Sequence, residues 1–128
     1  MRNLLLTLGL GVIAWAVPML AAIAAYPLRE SARPLFESIM TVAVVIAAAT
    51  VGLLYFVRVR GASGRDGLRL GGCAVIVCVL IDSALMLPGG PLQMSFGQYL
   101  ADIGATYLGM PVITWAMGAV SARRHAAP

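Results

Sequence analysis

Four apolar stretches, each long enough to cross the hydrocarbon core of a membrane, follow one another along the chain. Crossing about 30 Å of hydrocarbon takes about 20 mostly apolar residues in helical form. The predicted spans cover residues 3–26, 35–57, 68–87 and 97–120, with proline, glycine and charged residues between them. The pattern predicts an all-α fold: a polytopic membrane protein with a bundle of four transmembrane helices, which forms a single transmembrane domain over residues 1–128. Because the connections are short, we expect consecutive helices to be antiparallel neighbours.

The composition supports a membrane protein and limits its chemistry. Of the 128 residues, 61% are hydrophobic and 11% are charged, whereas soluble domains carry about 25% charged residues. All nine residues counted as Lys or Arg are arginines, which excludes a Schiff-base lysine and a phosphate-loop lysine. The net charge of +4 does not indicate a nucleic-acid partner, because little chain remains outside the spans to form a basic face. We expect the lipid bilayer as a partner, and no nucleic acid.

The arginines predict the orientation of the spans, because short loops rich in Lys and Arg remain in the cytoplasm. Arg29 and Arg33 lie on one side of the predicted spans. The other seven lie on the side of the two termini and the middle loop: Arg2, Arg58, Arg60, Arg65, Arg69, Arg123 and Arg124. We therefore expect a bacterial inner (cytoplasmic) membrane protein with both termini in the cytoplasm. The first apolar stretch exceeds the 7–15-residue core of a signal peptide, so we expect it to be a retained span.

Small residues and prolines within the spans predict how the helices pack. Helices in lipid associate through small residues that allow close approach. Small residues form two strips at a spacing of four: Ala48 and Gly52 on the second helix, and Ala101, Ala105 and Gly109 on the fourth. Packing within the chain is the favoured interpretation, and a dimer interface is the alternative. Pro18 and Pro111 predict kinks in the first and fourth spans, with Thr7, Thr114 or a neighbouring helix as the source of donors to the freed carbonyls.

The acidic residues are the strongest candidates for function, because ionisable residues within spans are costly and usually functional. Glu37, Asp82 and Asp102 lie on three different helices, each about one to one and a half turns inside the outer boundary of its span. With Glu30, and counted against Arg29 and Arg33, they give the outer side a formal charge of −2, against +6 on the inner side. The three carboxylates are therefore expected at a similar depth.

Other polar groups accompany these acids. They are Ser38, Thr41, Ser83, Gln98, Tyr99 and Thr106. Tyr99, Asp102 and Thr106 share one face of a continuous fourth helix. The sequence thus predicts a polar pocket, open to the outer surface, whose ligand- or proton-binding residues are Glu37, Asp82, Asp102, Tyr99 and Thr106. A structural network, in which Arg29 or Arg33 pairs with one of the acids, is an equally weighted alternative.

The remaining reactive side chains indicate no catalytic or metal site. Cys73 and Cys78 lie five residues apart on one helix, too far around the axis to form a disulfide or a redox pair. His125, the only histidine, follows the last span. We therefore expect no cofactor, no metal site and no catalytic residue; an enzyme is left open, as a hydrolase with paired carboxylates, but no nucleophile motif supports it.

The acids and their neighbours also carry a resemblance. The relevant residues are Phe36-Glu37-Ser38, Asp82, Gly90-Pro91, Met94-Ser95, Tyr99, Asp102-Ile103-Gly104, Tyr107 and Pro111. In these residues the chain resembles small uncharacterised four-helix prokaryotic integral membrane proteins. The resemblance implies a four-helix fold over most of the chain and brings no activity, ligand or partner with it.

Two functional hypotheses follow from the sequence. The first is a small transporter or channel for protons or cationic small molecules, a homo-oligomer because four short helices alone enclose little of a pathway. The alternative is a non-catalytic subunit or assembly factor of a larger membrane protein complex, with partner membrane subunits bound along a small-residue strip.

Overall fold

The computed structural model describes residues 2–85, 95–99 and 103–126, and helices account for nearly all of them. No strand occurs within these ranges, so the all-α prediction is confirmed for them. The helices are, in chain order, α1 (Arg2–Ala24), α2 (Leu28–Ser31), α3 (Arg33–Arg58), α4 (Gly64–Leu85), α5 (Phe96–Tyr99), α6 (Ala105–Tyr107) and α7 (Gly109–Ala126).

Three of these helices are long and apolar enough to cross a membrane, which indicates a membrane protein. They are α1 over Leu4–Ala24, α3 and α4. The fourth predicted span, 97–120, is instead divided among α5, α6 and α7, with a turn at Leu108. The prediction of four transmembrane helices is therefore confirmed only for its helical character and three of its spans.

The proline at position 111 explains where the fourth segment is interrupted. A proline ring clashes with the carbonyl four residues earlier, here that of Tyr107, and the turn at Leu108 follows directly. Pro111 consequently lies in the first turn of α7, where its missing N–H has no helical partner to lose. The Thr114 hydroxyl donates to the Met110 carbonyl at 2.9 Å, not to that of Tyr107 as expected. Helix α1, in contrast, continues through the buried Pro18.

The four long helices form a ring in the order α1, α3, α7, α4. Helix α1 packs on α3 and α4, and α7 packs on the same two helices, whereas α3 and α4 hardly touch. The prediction that consecutive helices are neighbours is therefore wrong for α3 and α4, which lie diagonally. A connection of five residues, 59–63, reaches up to about 20 Å, while the diagonal of a square with sides of 8–10 Å is about 14 Å. A short loop thus does not require the helices it joins to be adjacent.

Glycines on α4 bring α7 into close contact. A Cβ atom at Gly67 would collide with the backbone carbonyl of Thr114, and one at Gly71 with the Cα atom of Pro111. At Gly64, the indole nitrogen of Trp115 lies 3.2 Å from the Cβ position. The α4–α7 contact is the most extensive in the described part of the bundle. Small-residue spacings of three and four are the sequence signal for such packing.

Only one of the two predicted small-residue strips packs within the chain. Ala48 is buried, and a Cβ atom at Gly52 would lie 2.6 Å from the sulfur of Met117 on α7. Ala105 is exposed, and a Cβ atom at Gly109 would have no atom within 4 Å; Ala101 lies outside the described residues. The two cysteines are free, as predicted, with Cys78 buried.

The turn before α4 is stabilised by a side-chain cap. Gly61 adopts a left-handed conformation with φ of 76°, which a glycine tolerates without strain. The Asp66 carboxylate accepts hydrogen bonds from the backbone N–H of Ser63 at 2.8 Å and from its hydroxyl at 2.9 Å. This is the capping-box arrangement, in which the third helical residue bonds back to the residue before the helix.

Adding a methyl group at Gly71 should destabilise the bundle, whereas the same change at Gly72 should not. We expect Gly71→Ala to lower the free energy of unfolding by about 1–3 kcal/mol, because α7 must move away. At Gly72 a Cβ atom meets nothing within 4 Å, so Gly72→Ala should be neutral or stabilising by up to about 1 kcal/mol. Reversible unfolding in mixed micelles, followed by circular dichroism, measures both; equal effects would contradict the close α4–α7 contact.

Removing the Asp66 carboxylate should weaken the start of α4. We expect Asp66→Ala to lower the free energy of unfolding by about 1 kcal/mol, the usual cost of a lost cap. Arg65→Ala, at the exposed neighbouring position, is the matched control and should change stability by less than about 0.5 kcal/mol. The same micelle assay applies, and a reversed order of the two variants would refute the capping role.

Candidate functional site

A cavity of about 460 Å³ lies between α1, α3, α4 and α6, near the end of the bundle that carries α2. Apolar side chains form most of its wall: Trp15, Met19, Ile23, Phe36, Met40 and Ile103. Its charged lining residues are Arg29, Glu30, Arg33, Glu37 and Asp82. Four of these belong to α2 and the start of α3, while Asp82 comes from α4. The cavity therefore contains two of the acids predicted to form a site.

The Asp82 carboxylate is the centre of a hydrogen-bond cluster at this cavity. Its Oδ1 accepts the indole N–H of Trp15 at 2.8 Å. Its Oδ2 accepts the hydroxyls of Tyr99 and Tyr107, both at 2.9 Å. The two tyrosines are only 1% and 4% exposed. Three separate elements, α1, α5 and α6, thus place a donor on one carboxylate of α4.

These donors satisfy Asp82 without neutralising its charge. A carboxylate has about four acceptor positions, two on each oxygen. Among the described residues, the two tyrosines fill both positions on Oδ2, and Trp15 fills one of the two on Oδ1. The donors are uncharged, and no ion pair between described residues reaches Asp82. One acceptor position and the negative charge therefore remain for another group.

The register of α1 and α4 places Asp82 beside the middle of α1 and near the described end of α4. A Cβ atom at Gly11 would touch the Val77 side chain at 3.0 Å, and Trp15 bonds Asp82, so the two helices run parallel. Five residues beyond Val77, Asp82 is level with Ala16 of α1, and it lies three residues before Leu85, where the described part of α4 ends. Its depth below the outer boundary of the span stays a prediction. A carboxylate within an apolar helix is costly and marks a functional site by default.

Glu37 lies at the mouth of the cavity and not beside Asp82. It is the fifth residue of α3, and its carboxylate pairs with Arg33 of the same helix at 3.0 Å. Both side chains are more than half exposed, so this pair contributes little to stability. It also joins two residues of one helix and cannot hold two helices together. Glu37 lies four residues after the start of α3 and Asp82 three residues before the described end of α4, so the common depth of the acids stays a prediction.

The polar neighbours of the acids mostly face away from the cavity. The hydroxyls of Ser38 and Thr41 are exposed and donate to carbonyls one turn earlier in α3, at 2.9 Å each. Ser83 is exposed. Thr106 is half-buried in α6 and does not line the cavity; the adjacent Tyr107 does. Asp102 lies outside the described residues.

Trp15 and Tyr107 are the site residues that sequence reasoning missed. The helical spacing that selected Thr106 assumed a regular α-helix from Tyr99 onward, whereas Ile103 and Gly104 form a wider π-helical turn that shifts the following residues around the axis. Trp15 carried a usable signal, because an indole N–H in the middle of an apolar span needs a hydrogen-bond acceptor. Asp82 is the acceptor that the structure supplies.

The described residues offer a charge-binding site without metal-ligating groups. No cluster of three or more His, Cys, Asp or Glu side chains suited to a metal ion occurs among them. The chemistry available is that of one anionic carboxylate at the inner end of a largely apolar cavity. Such a site attracts a cation or a proton.

No known protein family matches this chain, and neither curated proteins nor solved structures give a significant match.

Proposed function

We propose that this protein is a homo-oligomeric transporter of the bacterial inner membrane that moves protons or cationic small molecules by way of Asp82. The observation that carries the proposal is the Asp82 carboxylate, which lies on an apolar helix, lines a cavity and has no basic partner among the described residues. Ionisable residues within transmembrane segments commonly mark the pathways of ions and substrates.

The charges at the two ends of the bundle support an orientation for this transporter. Arginines described by the structure accumulate at the end opposite the cavity mouth: Arg58, Arg60, Arg65, Arg69 and Arg123. The only described acid there, Asp66, is engaged in the cap of α4. By the distribution of arginines, this end and both termini face the cytoplasm, and the cavity opens to the outside.

Neutralising Asp82 should abolish cation movement. In proteoliposomes under an inside-negative potential, we expect Asp82→Asn to lower proton entry, read with trapped pyranine, and uptake of labelled methylammonium by about tenfold or more. The reason is that a lost charge-assisted interaction costs about 1.5–3 kcal/mol. Fluxes equal to those of the unmodified protein would refute the transporter proposal.

Matched variants separate the charge of Asp82 from a general loss of structure. Trp15→Phe removes one donor and keeps the carboxylate, so it should lower flux less than Asp82→Asn does. Asp66→Asn, at the opposite end, should leave flux unchanged. Glu37→Gln should lower flux at most about threefold, because Arg33 already balances Glu37. Gel filtration and circular dichroism check that each variant is folded.

A non-catalytic subunit of a larger membrane complex is the second candidate function. It is favoured by one observation: Ala105 is exposed and nothing in the described chain covers Gly109, so this face of α6 and α7 is smooth and unpacked. Helices in lipid use such faces to approach one another closely.

Bulky side chains at two open glycines distinguish this candidate from the first. Gly109→Leu should release a partner subunit during native mass spectrometry of gently extracted protein, because leucine prevents close approach. Gly72→Leu is the matched control, since its Cβ position is equally open within the chain. Retention of the same assembly by both variants would count against the subunit hypothesis.

A further inference from the structure

We infer that the cavity binds a protonated lipophilic amine, an ammonium group that carries at least one N–H and an apolar body large enough to contact the aromatic walls. This inference rests on the proposed role of Asp82 as the cation site and specifies the class of molecule that it takes.

The size of the cavity argues for an organic molecule. Its volume of about 460 Å³ lies within the range of about 300–1,000 Å³ for small-molecule sites. A proton or an alkali ion would leave almost all of that space unfilled. A hard divalent cation would need about six or more oxygen ligands, whereas among the described residues Asp82 is the single carboxylate at the inner end.

The wall of the cavity suits an apolar body with a cationic group. Trp15, Phe36 and Tyr107 supply aromatic rings around the space that Asp82 faces, and aromatic faces attract cations. Met19 and Met40 add flexible thioethers, which adapt to ligands of different shape. These side chains contact a hydrophobic amine favourably and offer little to a hydrated ion.

The remaining acceptor position on Asp82 specifies the kind of cation. Among the described residues, Oδ2 is filled by two tyrosine hydroxyls and Oδ1 retains one open position. One N–H of an ammonium group can donate to it. A quaternary ammonium has no N–H and gains only the charge attraction, so it should bind more weakly than its tertiary parent.

The charged residues at the mouth of the cavity do not alter the preference for a cation. Its charged residues are two arginines and two glutamates, whose formal charges cancel: Arg29, Glu30, Arg33 and Glu37. The net formal charge of the described cavity lining is therefore that of Asp82. A cation is attracted by Asp82, and no second, anionic group is required of the ligand.

The test compares four matched probes by equilibrium dialysis against the protein in lipid nanodiscs, with empty nanodiscs as background. The probes are the tertiary amine imipramine, its quaternary N-methyl derivative, its uncharged parent ring iminodibenzyl, and methylammonium. We expect imipramine to bind saturably, and both the quaternary derivative and methylammonium to bind about tenfold or more weakly. Asp82→Asn should weaken the binding of imipramine by a similar factor and leave the binding of iminodibenzyl unchanged.

The outcomes separate this inference from the transporter proposal. Equal binding of imipramine and its quaternary derivative to the unmodified protein overturns the inference without any variant. If Asp82→Asn abolishes proton flux but leaves imipramine binding unchanged, the inference is overturned and the transporter proposal stands. If amine binding requires both Asp82 and an N–H on the amine, but Asp82→Asn leaves flux unchanged, the inference is supported and the transporter proposal is overturned.

Discussion

A carboxylate charge within a bundle of apolar helices constrains everything packed around it. Burying such a charge without hydrogen-bond donors costs several kcal/mol, so donors must be brought to it. Asp82 receives them from α1, α5 and α6. Each bond fixes one element relative to α4. The Trp15 bond fixes the rotation of α1, which must direct Trp15 inward. The two tyrosine bonds fix the positions of α5 and α6, which are too short to be stable alone. The fold on this side of the bundle is thus organised around one side chain.

The contact of α4 with α7 depends on glycines, which have no side chain to keep the two backbones apart. Gly67 and Gly71 let the backbone of α7 approach where Thr114 and Pro111 lie. Pro111 has two effects there, because it forms part of this contact and also ends the preceding helix at Leu108. Tyr107 bonds Asp82 directly before this interruption, and α7 packs on α4 directly after it.

Much of this architecture, but only part of the site, could be predicted from the sequence. Length and hydropathy located three spans. The cost of a charge within a span selected three acids, Glu37, Asp82 and Asp102, and Asp82 and Tyr99 are the predicted site residues that the structure joins by a hydrogen bond. Helical spacing failed beyond that point because it applies only to an unbroken helix, so it chose Thr106 over Tyr107. Likewise, short loops did not determine which helices are adjacent: α3 and α4 follow each other in the chain yet lie diagonally. These features depend on distances between segments, which no local pattern records.

The two oxygens of Asp82 explain how one residue can serve both fold and function. Oδ2 is saturated by Tyr99 and Tyr107, and these bonds hold the interrupted fourth segment against α4. Oδ1 accepts the indole N–H of Trp15 and keeps one acceptor position open within the described structure. Asp82 also lines the cavity, so this position is available to a ligand. A ligand that donates a single hydrogen bond at Oδ1 therefore leaves the bonds that hold α5 and α6 in place. A ligand that needs both oxygens would have to displace a buried tyrosine hydroxyl, whose loss costs about 1–3 kcal/mol. The same geometry that stabilises the fold thus restricts what the cavity can bind.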